Sequence, residues 1–269
     1  MAGAEPSDTV AQALRPARRV VELTAGGAVV LDSYLSPVRY RGWTTGLRYE
    51  HLQTTGFAPQ RWIRQLTVGA GYALVHNPAR SGNKMHVLDL AASWTLMRRW
   101  RLRPAWQLAL GPMIDADGGA VYNPSGSNNV VSARARVSLG GAVRASFATR
   151  LAGRPLLLTA HFALPVIGIW FCPDGYESYY EIYLGNRRGL VHPAWWGNRF
   201  DANITVGADW QLGGTILRLA YHGHFETAAC RGLDTRHVRH TVGIGLGGDF
   251  VTLSSHHRLS DAATIITAH

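Results

Sequence analysis

Between Val130 and Ala148 the chain alternates with a period of two, and the two faces it makes are chemically opposite. Val131, Ala133, Ala135, Val137, Leu139, Val143 and Phe147 fall on one face, and Ser132, Arg134, Arg136, Ser138, Gly140, Arg144 and Ser146 on the other. Successive side chains leave a pleated backbone in opposite directions, so this is the period of a β-strand. The run is far longer than the ~5–6 residues usual in soluble sheets. A tilted strand that crosses a bilayer needs about 9–11 residues. Three arginines facing one way and apolar or tiny residues facing the other fit a wall between lipid and a polar lumen. The expected fold is an all-β, antiparallel, up-and-down transmembrane β-barrel.

The alternation recurs along the chain, in Trp62–His76, Lys84–Arg98, Trp100–Gly111, Leu156–Leu164, Phe200–Leu212, Thr215–Phe225 and Arg236–Phe250. Two weaker segments, Val20–Leu31 and Trp43–Leu52, bring the set to about ten strands. Composition agrees: 269 residues with 30 Gly, 9 Trp, 10 Tyr and only 16% charged residues make one barrel rather than two ordinary domains. No apolar run reaches the ~18 residues of a membrane helix. The net charge of +10 does not point to nucleic acid, because the basic residues sit at alternate strand positions and not in one tail or helix.

Met97–Trp100, Leu151–Pro155 and Leu212–Thr215 read as tight turns. Asp32–Arg41, Asn77–Lys84, Pro112–Asn129, Pro165–Asn198 and Ala228–Arg236 read as longer connections on the opposite rim. Short turns at one end and long loops at the other are the outer-membrane pattern, with both termini on the short-turn side. The division expected is a flexible segment over 1–18, the barrel over 19–250 and a tail over 251–269. Met1–Arg19 has no central apolar stretch, so no signal peptide is read in it.

Alternation alone does not say which face points inward, and a soluble β-sandwich or lipocalin-like barrel would present the same pattern reversed. Three features favour the membrane. The polar face is rich in Gly, Ala, Ser and Thr, as a narrow lumen requires. Aromatic residues cluster near strand ends (Trp43, Trp62, Trp94, Trp100, Trp106, Phe147, Trp210, Tyr221, Phe225, Phe250), like interfacial girdles. No amphipathic helix is available to cover an apolar sheet.

Leu31–Pro37, Tyr122-Asn123-Pro124 with Asn128-Asn129, Leu164–Gly168, and Ser178–Ile182 followed by Leu184-Gly185-Asn186 resemble a family known only as a domain of unknown function. That family is found in Bacteroides-type Gram-negative bacteria. The resemblance spans about Val20 to Phe250 and implies a secreted outer-membrane β-barrel. It brings no catalytic residues to carry over.

Inward positions are expected to hold Arg48, Arg101, Arg103, Arg134, Arg136, Arg144, Arg218 and Arg239, facing Glu22, Glu50, Asp89, Asp201, Asp209 and Asp249. The interior of a small barrel is little wider than its side chains, and charges buried there must be paired. The expected result is a salt-bridged plug; the competing reading is a narrow channel that prefers anions because arginine outnumbers carboxylate. His222 and His224 share a strand face near Asp201 and Asn203, a possible rim site where His with Asp would activate water. No matching nucleophile accompanies them, and no metal or cofactor is expected. Cys172 and Cys230 fall in two loops on the same rim and are expected to form a disulfide.

The Pro165–Asn198 connection is expected to fold over the barrel mouth, because Trp170, Tyr179, Tyr180, Trp195 and their apolar neighbours are too apolar to stay in water. Arg39, Arg41, Arg80, Lys84, Arg187 and Arg188 are expected on the outer rim, where they meet lipopolysaccharide phosphates. The functional expectation is a bacterial outer-membrane barrel with a structural or accessory envelope role, in contact with the bilayer and attached to a larger envelope complex. A small-solute channel or ligand-binding porin and a rim-active hydrolase are the alternatives.

Overall fold

The computed structural model describes residues 14–126, 130–173, 179–185, 189–251 and 265–268. The elements are β1 (Ala17–Asp32), β2 (Ser36–Thr54), β3 (Trp62–Asn77), β4 (Arg80–Arg103), β5 (Trp106–Tyr122), β6 (Val131–Leu151), β7 (Arg154–Phe171), α1 (Tyr179–Tyr183), β8 (Val191–Trp195), β9 (Arg199–Leu212), β10 (Thr215–Cys230) and β11 (Leu233–Phe250). Each long strand pairs antiparallel with its neighbours. The β1–β11 pairing joins the two ends of the chain and closes the wall, from Ala17↔Phe250 to Asp32↔Thr235. Ten strands form the barrel. The short β8 pairs with the upper part of β7 (Ile167↔Trp195 to Phe171↔Val191), above the stretch where β9 holds Leu156–Ala163.

The outward face answers what alternation left open. Leu23 is 70% exposed, Leu90 64% and Ile244 63%, while the arginines and carboxylates of the opposite face are buried. A water-soluble protein hides its apolar face, so this wall is built for lipid. Aromatic side chains mark both ends of the apolar band. Trp106 and Phe147 have ring centroids 4.7 Å apart near the rim that carries the termini, and Trp43 and Tyr72 are 5.6 Å apart towards the other rim.

Strand ends differ from the expected bounds. Met97–Trp100 is not a turn; β4 continues to Arg103, and the chain reverses at Pro104 and Ala105. On the opposite rim, most of the expected long loops are strand. β1 and β2 meet across residues 33–35, β3 and β4 across 78–79, and β10 and β11 across Arg231 and Gly232. Arg231 and Gly232 both have positive φ (48° and 80°), as do Ala152 and Gly153 at the other rim. Two consecutive left-handed residues make the hairpin turn whose twist matches the strands. Pro112–Asn129 reads as loop because of its Gly and Pro, yet β5 runs through to Tyr122. Gly119 has to be glycine there: a Cβ would stand 2.0 Å from the Leu88 carbonyl oxygen.

The extended wall has an apolar lining at the loop rim, where Val30, Tyr40, Val75, Met85, Val87 and Val121 are buried together. A second buried cluster at the terminal rim holds Leu52, Ile63 and Met97, and it includes Ala268 from the far end of the chain. Ile265 bridges to Leu14, the Ile266 amide donates to the Leu14 carbonyl at 2.9 Å, and Arg99 donates to the Thr267 carbonyl at 2.6 Å. Residues 265–268 therefore return from the tail and floor the barrel. Residues 1–13 and 252–264 lie outside the described residues.

Candidate functional site: two charge networks in the lumen

The lumen is crossed by two networks of arginines and carboxylates. The first lies in the half nearer the termini. Arg218 on β10 donates to Asp209 on β9 (2.5 and 2.8 Å), to Glu22 on β1 (3.1 Å) and to Glu50 on β2 (3.2 Å). Arg18 joins Asp209 at 3.3 Å and Asp249 at 2.9 Å. His222 contacts the second Glu22 oxygen at 2.9 Å, and Gln65 donates to Glu50 at 3.1 Å. Room for Glu22 comes from β11, where a Cβ on Gly245 would stand 2.5 Å from the Glu22 Cγ.

The second network lies nearer the loops. Arg136 on β6 donates to Asp115 (2.7 Å) and to Asp117 on β5, and lies 3.2 Å from Asp201 on β9. Arg134 reaches Asp89 (3.0 Å) on β4 and Glu226 (2.8 Å) on β10, and donates to His237 on β11 at 2.8 Å. Arg199 adds a contact to Glu226 at 2.8 Å, and Arg239 one to Asp89 at 2.6 Å. Guanidinium groups match carboxylates two-pronged and keep their charge when desolvated, which is why arginine and not lysine fills such a space. Between the networks is a cavity of about 200 Å³.

The structure places Glu22, Glu50, Asp209, Asp249, Arg144 and Arg218 in the first network, and Asp89, Arg134, Arg136, Asp201 and Arg239 in the second. Arg144 makes only a long contact, 3.8 Å from Glu50. Arg48 faces the lumen but has no carboxylate within ion-pair distance among the described residues. Arg101 and Arg103 do not belong to the lumen. They share the inward parity of β4 but lie below the end of the wall, exposed at the turn. Arg99, two residues earlier, is the buried one, held by the carbonyls of Pro59, Gln60 and Thr267.

Sequence reasoning missed Arg18, Asp115, Asp117, Arg199 and Glu226. Asp115 and Asp117 lay in the stretch read as loop. Arg199 and Glu226 lie one residue outside the expected strands Phe200–Leu212 and Thr215–Phe225. Extending the alternation by one step at each end would have found the pair. With these included and Arg101 and Arg103 removed, arginine no longer exceeds carboxylate in the lumen. The argument for anion preference from the charge balance therefore fails.

The His222–His224 pair is divided. His222 points to Glu22 and accepts or donates with Thr205 at 3.1 Å, whereas His224 meets Asn203 at 2.9 Å and lies 3.7 Å from Asp201. Their ligand atoms serve different networks, so they are not a chelating pair. Asp201, His224 and Glu226 do converge within 4.8 Å. Both carboxylates are already engaged by Arg136, Arg199 and Arg134, which leaves a cation facing guanidinium charge.

Cys172 and Cys230 are both free thiols, so the expected bridge is not formed here. They pack together with Trp170, Ala194 and Ala228, and burial beside the Cys230 thiol pushes the Cys172 thiol well up. The Pro165–Asn198 stretch is split between wall and mouth. β7 takes Pro165–Phe171, and Trp195 at 57% and Trp196 at 53% exposure face outward. Trp170 is buried under Arg199, whose guanidinium carbon lies 5.0 Å from the ring centroid. Tyr179 reaches inward to the Ala133 amide, which donates to its hydroxyl at 2.5 Å. Among the described residues of this stretch, Trp170 and Tyr179 cover the mouth and Trp195 and Trp196 do not; residues 174–178 and 186–188 and the Tyr180 side chain lie outside the described residues.

Arg39, Arg41, Arg80 and Lys84 are exposed near the loop rim. Arg41, His76 and Lys84 lie side by side in register on β2, β3 and β4. Arg187 and Arg188 lie outside the described residues.

Comparison with curated proteins gave no match. Among solved structures, the chain is similar to the β domain of the Bordetella autotransporter BrkA, with 14% identity, 87% of this chain and 100% of that chain covered, and a TM-score of 0.47. It is similar to the outer-membrane protease OmpT of Escherichia coli, with 7% identity, 88% and 97% covered, and a TM-score of 0.47. It is also similar to an outer-membrane channel of Pseudomonas putida F1, with 11% identity, 92% and 100% covered, and a TM-score of 0.36. The family described as a protein of unknown function, DUF3316, matches residues 2–257, and the chain belongs to that family.

Proposed function

We propose that this protein is a closed outer-membrane barrel of a Gram-negative, Bacteroides-type bacterium, with a structural or accessory role in the envelope. The observation that carries the reading is the filling of the lumen. Two cross-barrel networks, each tying strands far apart in sequence, occupy the space an ion would need, and residues 265–268 floor the terminal rim. Opening such a lumen requires breaking several buried, multiply bonded charge pairs at once, which is far more costly than moving a loop. The outward apolar band supplies the bilayer contact. The row of Arg41, His76 and Lys84 above the Trp43–Tyr72 aromatic pair fits lipopolysaccharide phosphates at the membrane surface. Attachment to an envelope complex belongs to the same reading, through the exposed Trp195, Trp196 and Tyr183 beside the mouth.

Planar-bilayer recording of the detergent-purified chain tests the closed lumen. Wild-type protein gives no ohmic openings; repeated single-channel openings would replace this reading with the channel. For the rim, Arg41→Glu together with Lys84→Glu lowers the lipopolysaccharide that co-purifies, and an unchanged yield removes that contact.

A further inference from the structure

The two networks satisfy nearly every lumen guanidinium, and the exception lies beside the cavity between them. Among the described residues, Arg48 on β2 has neither a carboxylate within 4.0 Å nor a hydrogen-bond acceptor, although its Nε is buried. Arg144 on β6, 4% exposed, leaves its buried Nη2 without an acceptor and touches Glu50 only at 3.8 Å. His161 on β7, 9% exposed, has a buried Nε2 with no partner and lies within electrostatic reach of both guanidiniums. Three strands thus bring two unanswered guanidinium donors and an unpartnered imidazole nitrogen to one place. A buried N–H without an acceptor is costly, and native proteins leave few of them.

The cavity beside them holds about 200 Å³, and both Arg48 and His161 line it. The strands on either side of Arg48 carry the hydroxyls of Thr24 (β1), Thr67 (β3), Ser93 (β4) and Thr241 (β11) into it, with glycines at positions 46 and 69 keeping the space open. None of those four hydroxyls has a side-chain partner among the described residues. Arg48 and His161 therefore face the cavity from opposite sides of the barrel, and the hydroxyls surround Arg48.

We infer that this cavity binds a small hydroxylated carboxylate, whose carboxyl group accepts from Arg48 and His161 while its hydroxyls meet the threonine belt. A carboxylate takes a guanidinium edge with two parallel hydrogen bonds. Arg144 adds positive potential close by. The Asp89, Asp115 and Asp117 side chains that also border the cavity are held by Arg134, Arg136 and Arg239, and Glu50, the carboxylate nearest Arg48 and Arg144, is engaged by Arg218 and Gln65. The site does not require conduction: a ligand enters past one network, whereas an ion must pass both.

Isothermal titration of the full-length chain in detergent, with glycerate, inorganic phosphate and glycerol as probes, tests the assignment. Glycerate binds saturably and more tightly than phosphate, and glycerol gives no heat. Arg48→Gln weakens glycerate by at least about tenfold, as expected for loss of a charge-assisted bond. Arg101→Gln, at the exposed turn, leaves it unchanged. Heat-modifiable gel migration confirms that the Arg48→Gln barrel is folded. No glycerate binding, equal binding by folded Arg48→Gln, or tighter binding of phosphate would each overturn the hydroxylated-carboxylate site.

Discussion

The two lumen networks are built from the same chemistry but different connections. The one nearer the termini centres on Arg218, a single guanidinium shared by Asp209, Glu22 and Glu50, and it reaches Arg18 and Asp249 on the strands that close the barrel. Its pairs span up to 231 positions in sequence. The one nearer the loops has two hubs, Arg134 and Arg136, with Arg199 and Arg239 adding further contacts. The first network secures the seam where the chain's ends meet. The second holds the upper walls of β4, β5, β6, β9, β10 and β11 together below the mouth. A closed sheet has no edge strand to fray, so what remains to be fixed is its cross-section, and long-range ion pairs fix it at two heights.

That contrast makes the Arg218 hub the most sensitive point. Arg218→Ala takes the shared guanidinium from three buried carboxylates at once, leaving Asp209 with Arg18, Glu22 with His222 and Glu50 with Gln65, and removing one partner from a buried pair costs about 3–5 kcal/mol. The loss is read as a lower urea midpoint for the heat-modifiable band; a midpoint equal to wild type would mean that the network is not a stability element.

Arg136→Ala removes one guanidinium from Asp115, Asp117 and Asp201 and should cost about 3 kcal/mol, with Arg199 still facing Asp117 and Asp201 at 4.0 Å but no other ion pair to Asp115 among the described residues. No described residue pairs with both networks, so the Arg218→Ala and Arg136→Ala effects should add to within about 0.5 kcal/mol. A larger coupling energy in the double mutant would show that the two heights act as one unit. The double mutant is also where ohmic conductance should first appear.

Deleting residues 251–269 uncovers Leu52, Ile63 and Met97 and takes one acceptor from Arg99, a loss of about 1 kcal/mol. Conductance should stay at zero, since both networks remain. Openings after this deletion alone would make the floor the true barrier.

The smallest effect concerns the mouth. Mild oxidation should join Cys172 to Cys230, seen as loss of two thiol equivalents by alkylation and mass measurement, with little change in the urea midpoint. Two reactive thiols after oxidation of folded protein would mean that the pair does not approach closely enough to bridge.

The ten-strand wall was legible because its signal is local. Each residue of Val131–Leu151 announces its face by its own polarity, and the repeat survives through segment after segment. The loop-side half of the lumen was less legible. Asp115 and Asp117 sit among Gly111, Pro112, Gly118 and Gly119, which punctuate loops in most chains, and only the neighbouring strands show that those glycines allow close backbone approach. Arg101 illustrates the opposite error. Its parity is correct, but parity does not say where the wall ends.

By itself, the sequence determined the period, the number of strands and which residues share a face, since these depend on the polarity of each side chain and its immediate neighbours. Tertiary structure alone decided where the wall ends, which carboxylate each arginine meets and that, among the described residues, Arg48 meets none. Those outcomes depend on the register of β1 against β11 and of every pair between them. A buried charge is stabilised by its partner's position across the barrel, a relation that no spacing along the chain encodes.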